Sequence, residues 1–224
     1  MPKNHITFYF DVISPWAQVG FRVLQRYVDI WDAEVAWKPL NLGRVMQISG
    51  NKPPITVQNK GRWMNEDMSR AEVFYGLKLR MPTGFPVNTQ YAQCVLRALQ
   101  DAGIESAPFQ KATAALMEAL WTHDLPVQTA DDVRKILEPA NVAKKEMLEE
   151  ALKQAEKKES RDRLTAESKQ AVEEGMFGAP WFVVKRASDG ETARFFGSDR
   201  FEQIAAFLHK DYKGPFANDS RPKL

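Results

Sequence analysis

The sequence predicts an α/β fold in which a block of helices interrupts a small sheet domain. Three observations lead to this prediction. A strand–helix–strand pattern opens the chain between residues 6 and 39, helical periodicity dominates residues 88–174, and two short strands and a helix follow between residues 181 and 210. Strands joined through a helix pair in parallel with a right-handed crossover, whereas a short turn between strands gives an antiparallel hairpin. The two ends of the chain therefore belong to one sheet domain, and the middle is an insertion.

The N-terminal segment has the pattern of a buried strand that runs directly into a helix. Residues 6–12 are rich in β-branched and aromatic types, as a buried strand requires. Ser14 can accept backbone N–H groups as an N-cap, and Pro15 suits the first helical position because its missing N–H would be unused there. Apolar residues then recur with a helical period across residues 15–31, and residues 34–39 return to a strand pattern.

The middle of the chain is predominantly helical. The segment between residues 62 and 79, bracketed by the Pro53-Pro54 and Phe85-Pro86 pairs, looks helical but irregular. Beyond it, apolar residues recur every three or four positions in further segments, as in helices with one buried face. These predicted helices are Asn88–Gln100, Pro108–Trp121, Thr129–Leu137, Val142–Glu156 and Arg161–Glu174.

The chain returns to strands near its C-terminal end. Trp181–Lys185 and Thr192–Phe196 are predicted strands, joined at a Ser188-Asp189-Gly190 turn whose composition suits a hairpin. A helix is predicted from Asp199 to Lys210, followed by an extended tail from Gly214 to Leu224.

These elements define two structural units and a tail. Residues 1–50 and 175–215 form the sheet-containing domain, and residues 51–174 form the inserted helical domain, including the helix that leads back to the sheet. Residues 216–224 form the C-terminal tail. At 224 residues, the chain is long enough to bury a sizeable core.

Composition excludes several classes of function. A net charge of +2 and basic residues interleaved with acidic ones indicate no nucleic-acid partner. No run of 18 apolar residues is present, so no membrane-spanning helix and no membrane partner are expected. The N-terminal residues enter a strand almost at once, which leaves no room for a signal peptide. A soluble intracellular protein is therefore predicted.

The cysteine and histidine content argues against a disulfide framework and a metal site. The single cysteine, Cys94, fits a reducing compartment, and its apolar neighbours in a predicted helix indicate a buried core thiol. His5, His123 and His209 show no metal-ligand spacing. No metal cofactor is predicted.

Two segments far apart in the chain point to one site. The N-terminal strand ends at Ser14-Pro15-Trp16-Ala17, and a Gly-rich turn, Gly175 to Pro180, opens the strand that begins at Trp181. A proline at a strand start in a tight turn is a candidate for a cis peptide bond. Together the two segments resemble the thioredoxin fold, in which a cis-proline loop faces the N-terminus of the first helix.

The first tetrapeptide lacks the sulfur atoms of the disulfide-exchanging members of that superfamily. Those members carry Cys-x-x-Cys where this chain has Ser14-Pro15-Trp16-Ala17. Dithiol–disulfide exchange is therefore excluded at this position. If the site is chemical, the sulfur must arrive with a ligand, and glutathione is the obvious carrier.

An ordered set of further motifs matches one enzyme family. Four segments follow Ser14-Pro15 in the order and spacing found in the kappa-class glutathione transferases, and the closely related 2-hydroxychromene-2-carboxylate isomerases share most of them. They are Ser49-Gly50-Asn51-Lys52-Pro53-Pro54, Asn59-Lys60-Gly61, Phe85-Pro86-Val87-Asn88 and Phe196-Gly197-Ser198-Asp199-Arg200-Phe201. The resemblance covers nearly the whole chain and implies a thioredoxin-like α/β fold of the DsbA/kappa type, with a helical domain inserted between the βαβ and ββα halves.

The resemblance assigns roles to nine residues. Ser14 is implied to be catalytic, with its hydroxyl donating to the glutathione sulfur, and the cis-proline loop is implied to bind the cysteinyl backbone. Ser198 and Asp199 would hold the γ-glutamyl end, since a zwitterion needs both signs side by side. The implied glutathione-binding residues are Ser14, Pro15, Trp16, Asn51, Lys60, Ala179, Pro180, Ser198 and Asp199. Trp16 and Ala17 stand where transferases often carry Tyr and Ser, so the acceptor pocket is expected to differ.

Each of these residues also has a purely structural interpretation. Ser14 could be a simple N-cap, Pro180 a strand-start proline, and Ser198-Asp199 a cap followed by an acid in the first helical turn. Asn51 could serve a turn, because Asn tolerates the left-handed region. An exposed loop lysine such as Lys60 is more often merely solvated.

The resemblance implies a homodimeric glutathione transferase that conjugates small hydrophobic electrophiles, with glutathione-dependent peroxidase activity as an extension. Two alternatives stay open: a glutathione-dependent 2-hydroxychromene-2-carboxylate isomerase, and a catalytically silent thioredoxin-like binding module. The family implies mitochondria or peroxisomes in a eukaryote and the cytoplasm in a bacterium. The C-terminal Arg221-Pro222-Lys223-Leu224 is a weak match to a peroxisomal address.

Overall fold

A computed structural model describes residues 2–217 of the chain. The sheet has four strands: β1 (Asn4–Phe10), β2 (Ala33–Pro39), β3 (Trp181–Lys185) and β4 (Thr192–Phe196). The helices are α1 (Pro15–Tyr27), α2 (Leu42–Ser49), α3 (Gln58–Tyr75), α4 (Gln90–Asp101), α5 (Ser106–Trp121), α6 (Ala130–Leu137), α7 (Lys145–Ala155), α8 (Lys158–Glu173) and α9 (Phe201–Leu208), with a 3₁₀ turn at Pro54–Thr56. This architecture confirms the predicted α/β fold, in which helices separate two halves of one sheet.

The strand order is β2-β1-β3-β4. β1 pairs in parallel with β2 and antiparallel with β3, so Ile6 lies between Val35 and Val184. Because successive strand residues face opposite sides, Ile6, Phe8 and Phe10 share one buried face, and the Phe8 and Phe10 rings stack with their centroids 5.7 Å apart. This aromatic layer continues through α1 and fixes the end of β1, from which the site is built.

Three helix predictions need correction. The structure contains α2, which the sequence analysis missed, with Asn41 as its N-cap and left-handed Gly50 at its C-cap. The segment predicted to be irregular forms α3, a regular helix of 18 residues. The final helix begins at Phe201 rather than at Asp199. Ser198 and Asp199 instead form a turn that follows Gly197 (φ +104°), and the buried Phe201 ring anchors the first helical turn in the core.

The segment expected to be an extended tail packs against α1 where the structure describes it. The Tyr27 hydroxyl donates to Gly214 O at 2.7 Å, and the Arg26 guanidinium donates to Pro215 O at 2.8 Å. The C-terminal tetrapeptide Arg221–Leu224 lies outside the described residues. Between residues 2 and 217, no helix combines the length and apolarity needed to cross a membrane.

Candidate active site

Ser14 occupies the turn between β1 and α1 and is almost completely buried, with 4% of its surface exposed. Its Oγ accepts a hydrogen bond from Ala17 N at 3.1 Å, which confirms the predicted N-cap with Pro15 in the first helical position. The same hydroxyl donates to Ala179 O at 3.1 Å. One side chain therefore joins the start of α1 to a loop 165 residues further along the chain.

Ala179 and Pro180 form the predicted cis-proline loop, since the peptide bond between them is cis. The loop sits directly on α1: a Cβ atom on Gly20 would lie 3.2 Å from Pro180 Cγ, so the glycine permits this close approach. Pro180 O accepts a hydrogen bond from Gly197 N at 3.1 Å. This bond attaches the Ser198-Asp199 turn to the cis-proline loop, and three motifs distant in sequence meet there.

The Ser198-Asp199 turn is built differently from the Ser14 turn. Arg200 is the N-cap residue of α9, and within residues 2–217 it makes no capping hydrogen bond through its side chain. Asp199 Oδ2 lies 3.2 Å from an Arg200 nitrogen, and the Asp199 side chain is 63% exposed. Glycine is favoured at position 197 because its φ of +104° is a backbone conformation that side-chain-bearing residues rarely adopt. The turn thus presents the exposed carboxylate of Asp199, whereas Ser198 beside it is buried, with 7% of its surface exposed.

Asn51 and Lys60 have different positions relative to this cluster. Asn51 Nδ2 donates to Phe177 O at 2.8 Å and Asn51 Oδ1 accepts from Lys52 N at 2.8 Å, so this side chain joins the α2–α3 connection to the segment before the cis-proline. The left-handed residue in that connection is Gly50, not Asn51. Lys60 is exposed in the first turn of α3 rather than in a loop. Within residues 2–217, it is not one of the side chains that line the cleft next to Ala179 and Pro180.

A cleft of about 1180 Å³ collects most of the predicted site residues. Trp16, Ala179, Pro180, Ser198 and Asp199 line it, whereas Ser14 is not among its described lining residues and is joined to it through the hydrogen bond to Ala179 O. The remaining walls come mainly from α3 and from the C-terminal segment, and most are apolar or aromatic: Trp63, Val73, Phe74, Tyr75, Phe196, Pro215 and Phe216. Such a cleft can hold a polar peptide at one end and an apolar molecule beside it.

Sequence reasoning missed the contribution of α3. Trp63, Asp67, Arg70 and Phe74 recur at helical spacing and all line the cleft, so a helical projection could have grouped them. Tyr75 ends this face. Burial raises the pKa of Tyr75, and the nearby Asp199 and Asp67 carboxylates raise it further. Its phenol therefore stays protonated at neutral pH.

Asp11 is a second residue that sequence reasoning missed. It is buried just before Ser14, where Oδ1 accepts from Thr89 Oγ1 at 2.7 Å and Oδ2 accepts from Leu42 N at 2.8 Å. Burial raises the pKa of Asp11 to about 6 despite these hydrogen bonds, which act in the opposite direction. An acidic residue within the apolar run Phe8–Val12 was the available signal.

Two further predictions concern the thiol of Cys94 and the metal-ligating side chains. Cys94 is buried, as predicted, and burial raises the pKa of its thiol to about 11. It therefore stays protonated and is no nucleophile. Among residues 2–217, no group of three or more His, Cys, Asp or Glu side chains is arranged to hold a metal ion.

Comparisons with known proteins agree with this architecture. The model of the DSBA-like thioredoxin domain family matches residues 5–209. Glutathione S-transferase kappa 1 of Caenorhabditis elegans is 32% identical over 94% of this chain and 93% of its own length. A 2-hydroxychromene-2-carboxylate isomerase of Sphingobium xenophagum is 23% identical over 91% of this chain and 97% of its own length.

A solved structure gives the same result for the fold. The crystallised selenomethionine form of a 2-hydroxychromene-2-carboxylate isomerase superimposes with a TM-score of 0.72 over 92% of this chain and 94% of its own, at 18% identity. At that level of identity, the likeness concerns the fold alone.

Proposed function

This chain belongs to the DSBA-like thioredoxin domain family and, within it, to the kappa class of glutathione S-transferases, and we propose that Ser14 activates the glutathione thiol as a thiolate. The acceptors are small hydrophobic electrophiles. The observation that carries this proposal is the Ser14 hydroxyl itself, which is buried at a helix N-terminus and hydrogen-bonded to the cis-proline loop.

A hydrogen bond from Ser14 and the N-terminus of α1 are together enough to lower the pKa of the glutathione thiol, and no cationic side chain is needed. A free thiol has a pKa of about 8.5, and each unit of depression needs about 1.4 kcal/mol of preference for the thiolate. A hydrogen bond from Ser14 to the sulfur would contribute about 1.5–3 kcal/mol. The N-terminus of α1 adds about 0.3–1 kcal/mol. Together these interactions would lower the thiol pKa by about one to three units, to neutrality or slightly below it.

Glutathione binding would redirect the Ser14 proton. In the unliganded molecule that proton is donated to Ala179 O. A cysteinyl N–H from glutathione is a better-placed donor for the same carbonyl, because an extended peptide pairs with a cis-proline loop as a short β-strand does. The Ser14 hydroxyl is then free to rotate toward the sulfur, while its lone pair continues to accept from Ala17 N. Peptide binding and thiol activation are coupled through one carbonyl group.

The two ends of glutathione carry charges that the cleft rim complements. We propose that Asp199 pairs with the γ-glutamyl ammonium while Ser198 Oγ and neighbouring N–H groups bind its carboxylate. Pro15 and Trp16 pack beside the cysteinyl residue. At the other end, Asn51 contacts the glutathione backbone, and Lys60, exposed at the start of α3, neutralises the glycine carboxylate.

The conjugation step is a displacement at carbon. The thiol of glutathione gives its proton to solvent, and the thiolate forms. When the acceptor is an organic halide, the sulfur–carbon bond then forms, and the carbon–halide bond breaks with its electron pair leaving on the halide. Peroxide reduction follows similarly. The thiolate attacks the O–O bond of the peroxide, which forms a sulfenic acid and releases an alkoxide that takes a proton from solvent to become the alcohol. A second glutathione then converts the sulfenic acid to the disulfide and water.

Titration calorimetry with reduced glutathione tests the proposal first, and two assays then separate the alternatives. We expect binding at or below millimolar concentrations and conjugation of 1-chloro-2,4-dinitrobenzene. Binding combined with isomerisation of 2-hydroxychromene-2-carboxylate, and no conjugation, would favour the isomerase, a class represented among the relatives. No binding below millimolar would favour the silent binding module.

We also propose that the protein is a homodimer. Trp63, Val73 and Phe74 of α3 are 56%, 53% and 57% exposed, and exposed apolar patches commonly mark association surfaces. The same three side chains line the cleft, so a partner subunit on this face would border the acceptor side of the site. Sedimentation analysis checks this directly. A monomer at micromolar concentration would contradict the homodimer, and these side chains would then serve the cleft alone.

A further inference from the structure

The C-terminal segment comprising residues 211–217, called the strap below, is joined by hydrogen bonds to α1 and to Trp31, four residues beyond the end of α1. Trp31 Nε1 donates to Asp211 O at 3.0 Å, and the Tyr27 hydroxyl both accepts from Lys213 N at 3.0 Å and donates to Gly214 O at 2.7 Å. Pro215 is buried and Phe216 is half-buried. These bonds hold the strap in one position on the outside of α1.

Arg26 extends this attachment to the cleft. Its two terminal nitrogens donate to Pro215 O at 2.8 Å and to Tyr75 O at 3.2 Å, and its guanidinium carbon lies 4.5 Å from the centre of the Phe216 ring. Within residues 2–217, no carboxylate lies at ion-pair distance from Arg26. The guanidinium is therefore used to join the strap to the end of α3, through two carbonyl groups and a cation–π contact.

The strap contributes to the same cleft as the proposed glutathione site. Pro215 and Phe216 line it together with Tyr75 from α3 and Trp16 from α1. The cleft is thus bounded by rings from four separate parts of the chain: Trp16 on α1, Trp63 and Phe74 on α3, Phe196 at the end of β4, and Phe216 on the strap. Walls of this kind favour flat aromatic molecules, which can stack on or meet the edges of these rings.

We propose that Phe216 is a specificity-determining residue that selects flat, electron-poor aromatic electrophiles, and that Arg26 is the positioning residue that holds it in the cleft wall. This inference rests on the proposed glutathione transferase function. Phe216 does not take part in thiol activation, because the contacts of Ser14 are with Ala17 and Ala179. Its effect falls on the acceptor alone.

The test compares kinetic constants for two acceptors, first in variants of Phe216 and then in variants of two arginines. Glutathione affinity, kcat and acceptor KM are measured with 1-chloro-2,4-dinitrobenzene, which is flat and aromatic, and with iodomethane, which is neither. Phe216→Ala is expected to raise the KM for the aromatic acceptor by about fivefold to tenfold, the size of one lost aromatic contact. Its KM for iodomethane and its glutathione affinity should stay within about twofold, a change of less than half a kcal/mol.

Arg26→Gln should reproduce the effect of Phe216→Ala, and the double variant should add little to either change, because both remove the same contact. Arg22→Gln is the matched control. Arg22 lies one turn earlier on α1 and pairs with Glu118, away from the cleft. Arg22→Gln removes the same positive charge as Arg26→Gln. If both variants changed the KM equally, the cause would be the net charge of the protein rather than the position of the strap.

The outcomes separate this inference from the proposed function. Suppose that glutathione binds and both acceptors react, but Phe216→Ala leaves the KM for 1-chloro-2,4-dinitrobenzene unchanged relative to the KM for iodomethane. The proposed role of Phe216 is then wrong, while the proposed transferase function is unaffected. If glutathione does not bind the unmodified protein, the transferase proposal fails first. Should Arg26→Gln fail to fold in a thermal unfolding check, Phe216→Ala and Phe216→Leu decide the matter, with Leu expected to restore less than half of the lost selectivity.

Discussion

Ser14 and Ser198 stand at the two ends of one proposed glutathione site, and their surroundings differ. Both serines follow a strand and precede a helix. Ser14 caps α1 directly, and its hydroxyl both accepts and donates a hydrogen bond within the protein. Ser198 lies in a turn, three residues before α9 begins, and among residues 2–217 its hydroxyl has no hydrogen-bond partner. The polar groups of the Ser14 turn are therefore bonded within the protein, whereas at the proposed γ-glutamyl end the exposed Asp199 carboxylate pairs with the neighbouring Arg200.

The support beneath each turn explains the difference. Asp11 connects the Ser14 turn to the starts of α2 and α4, through Leu42 N and Thr89 Oγ1. The Ser198 turn is attached mainly by one backbone bond, from Gly197 N to Pro180 O. We therefore expect the buried bonds of the first turn to contribute to folding stability, and the exposed Asp199 carboxylate of the second turn to contribute to the proposed binding of glutathione.

The largest expected effect is the loss of stability in Asp11→Ala. This change leaves buried donors on Leu42, Ile13 and Thr89 without their acceptor, and each unsatisfied group costs about 1–3 kcal/mol. We expect the free energy of unfolding in urea to fall by about 3 kcal/mol or more. Asp199→Ala is the control and should change it by less than about 0.5 kcal/mol, because its side chain is exposed. Equal losses in both variants would remove the proposed contrast between the two turns.

The pH dependence of stability gives a second test of the same residue. The pKa of Asp11 is raised from 3.8 to about 6 in the folded protein. The folded state therefore binds more protons than the unfolded state in this window, and stability falls as pH rises through it. Asp11→Asn does not titrate there. We expect the unfolding free energy of the unmodified protein, relative to that of the variant, to decrease between pH 4 and pH 6. A difference that is flat or that rises with pH would contradict the raised pKa.

Asp199→Ala should have the largest effect on binding. Removing the proposed partner of the γ-glutamyl ammonium is expected to weaken glutathione affinity by about 1.5–3 kcal/mol in calorimetric titration. Asp131→Ala is a matched control, because Asp131 is similarly exposed, at 66%, and pairs with a cation, Lys135. Unchanged affinity in Asp199→Ala together with reduced thermal stability would instead identify a purely structural acid.

Ser14→Ala should reduce turnover rather than affinity. One hydroxyl–thiolate bond contributes more to the thiol pKa than to peptide binding, so we expect kcat to fall by about tenfold or more while glutathione affinity stays nearly unchanged. The pH–rate profile should shift toward higher pH because the bound thiol regains its ordinary pKa. Full activity with an unshifted profile would mean that the hydroxyl is only a helix cap.

Local patterns were enough to predict much of the fold and two parts of the candidate site. Ser14 with Pro15, and the Gly-rich turn ending at Pro180, follow from the preferences of single residue types at helix and strand starts. The prediction missed α2, whose short sequence contains Gly43, and glycine lowers helix propensity. It also placed the start of α9 two residues early, because the Ser-Asp pair has the composition of a cap but here forms a turn.

The rest of the cleft depends on contacts that no local pattern contains. Arg26 meets Pro215 across 189 residues of sequence, and Asp11 meets Thr89 across 78. Neither residue type has a spacing that specifies such a partner. Tyr75 and Phe216 become cleft residues only through these long-range contacts, so the acceptor side of the site was predictable only as an unspecified pocket in the helical insertion.

The smallest expected effects are the changes in unfolding free energy when each of the two serines is replaced by alanine. Ser14→Ala removes an N-cap and should lower the unfolding free energy by about 1 kcal/mol, whereas Ser198→Ala should change it by less than about 0.5 kcal/mol because the hydroxyl caps nothing. Ser198→Ala should nevertheless weaken glutathione binding by about 0.5–1.5 kcal/mol, the value of one hydrogen bond to the ligand. Paired urea and calorimetric titrations measure both quantities on the same samples. If Ser198→Ala destabilised the protein as much as Ser14→Ala and left affinity unchanged, its hydroxyl would serve the fold, and the γ-glutamyl end would have to be held by Asp199 and the backbone alone.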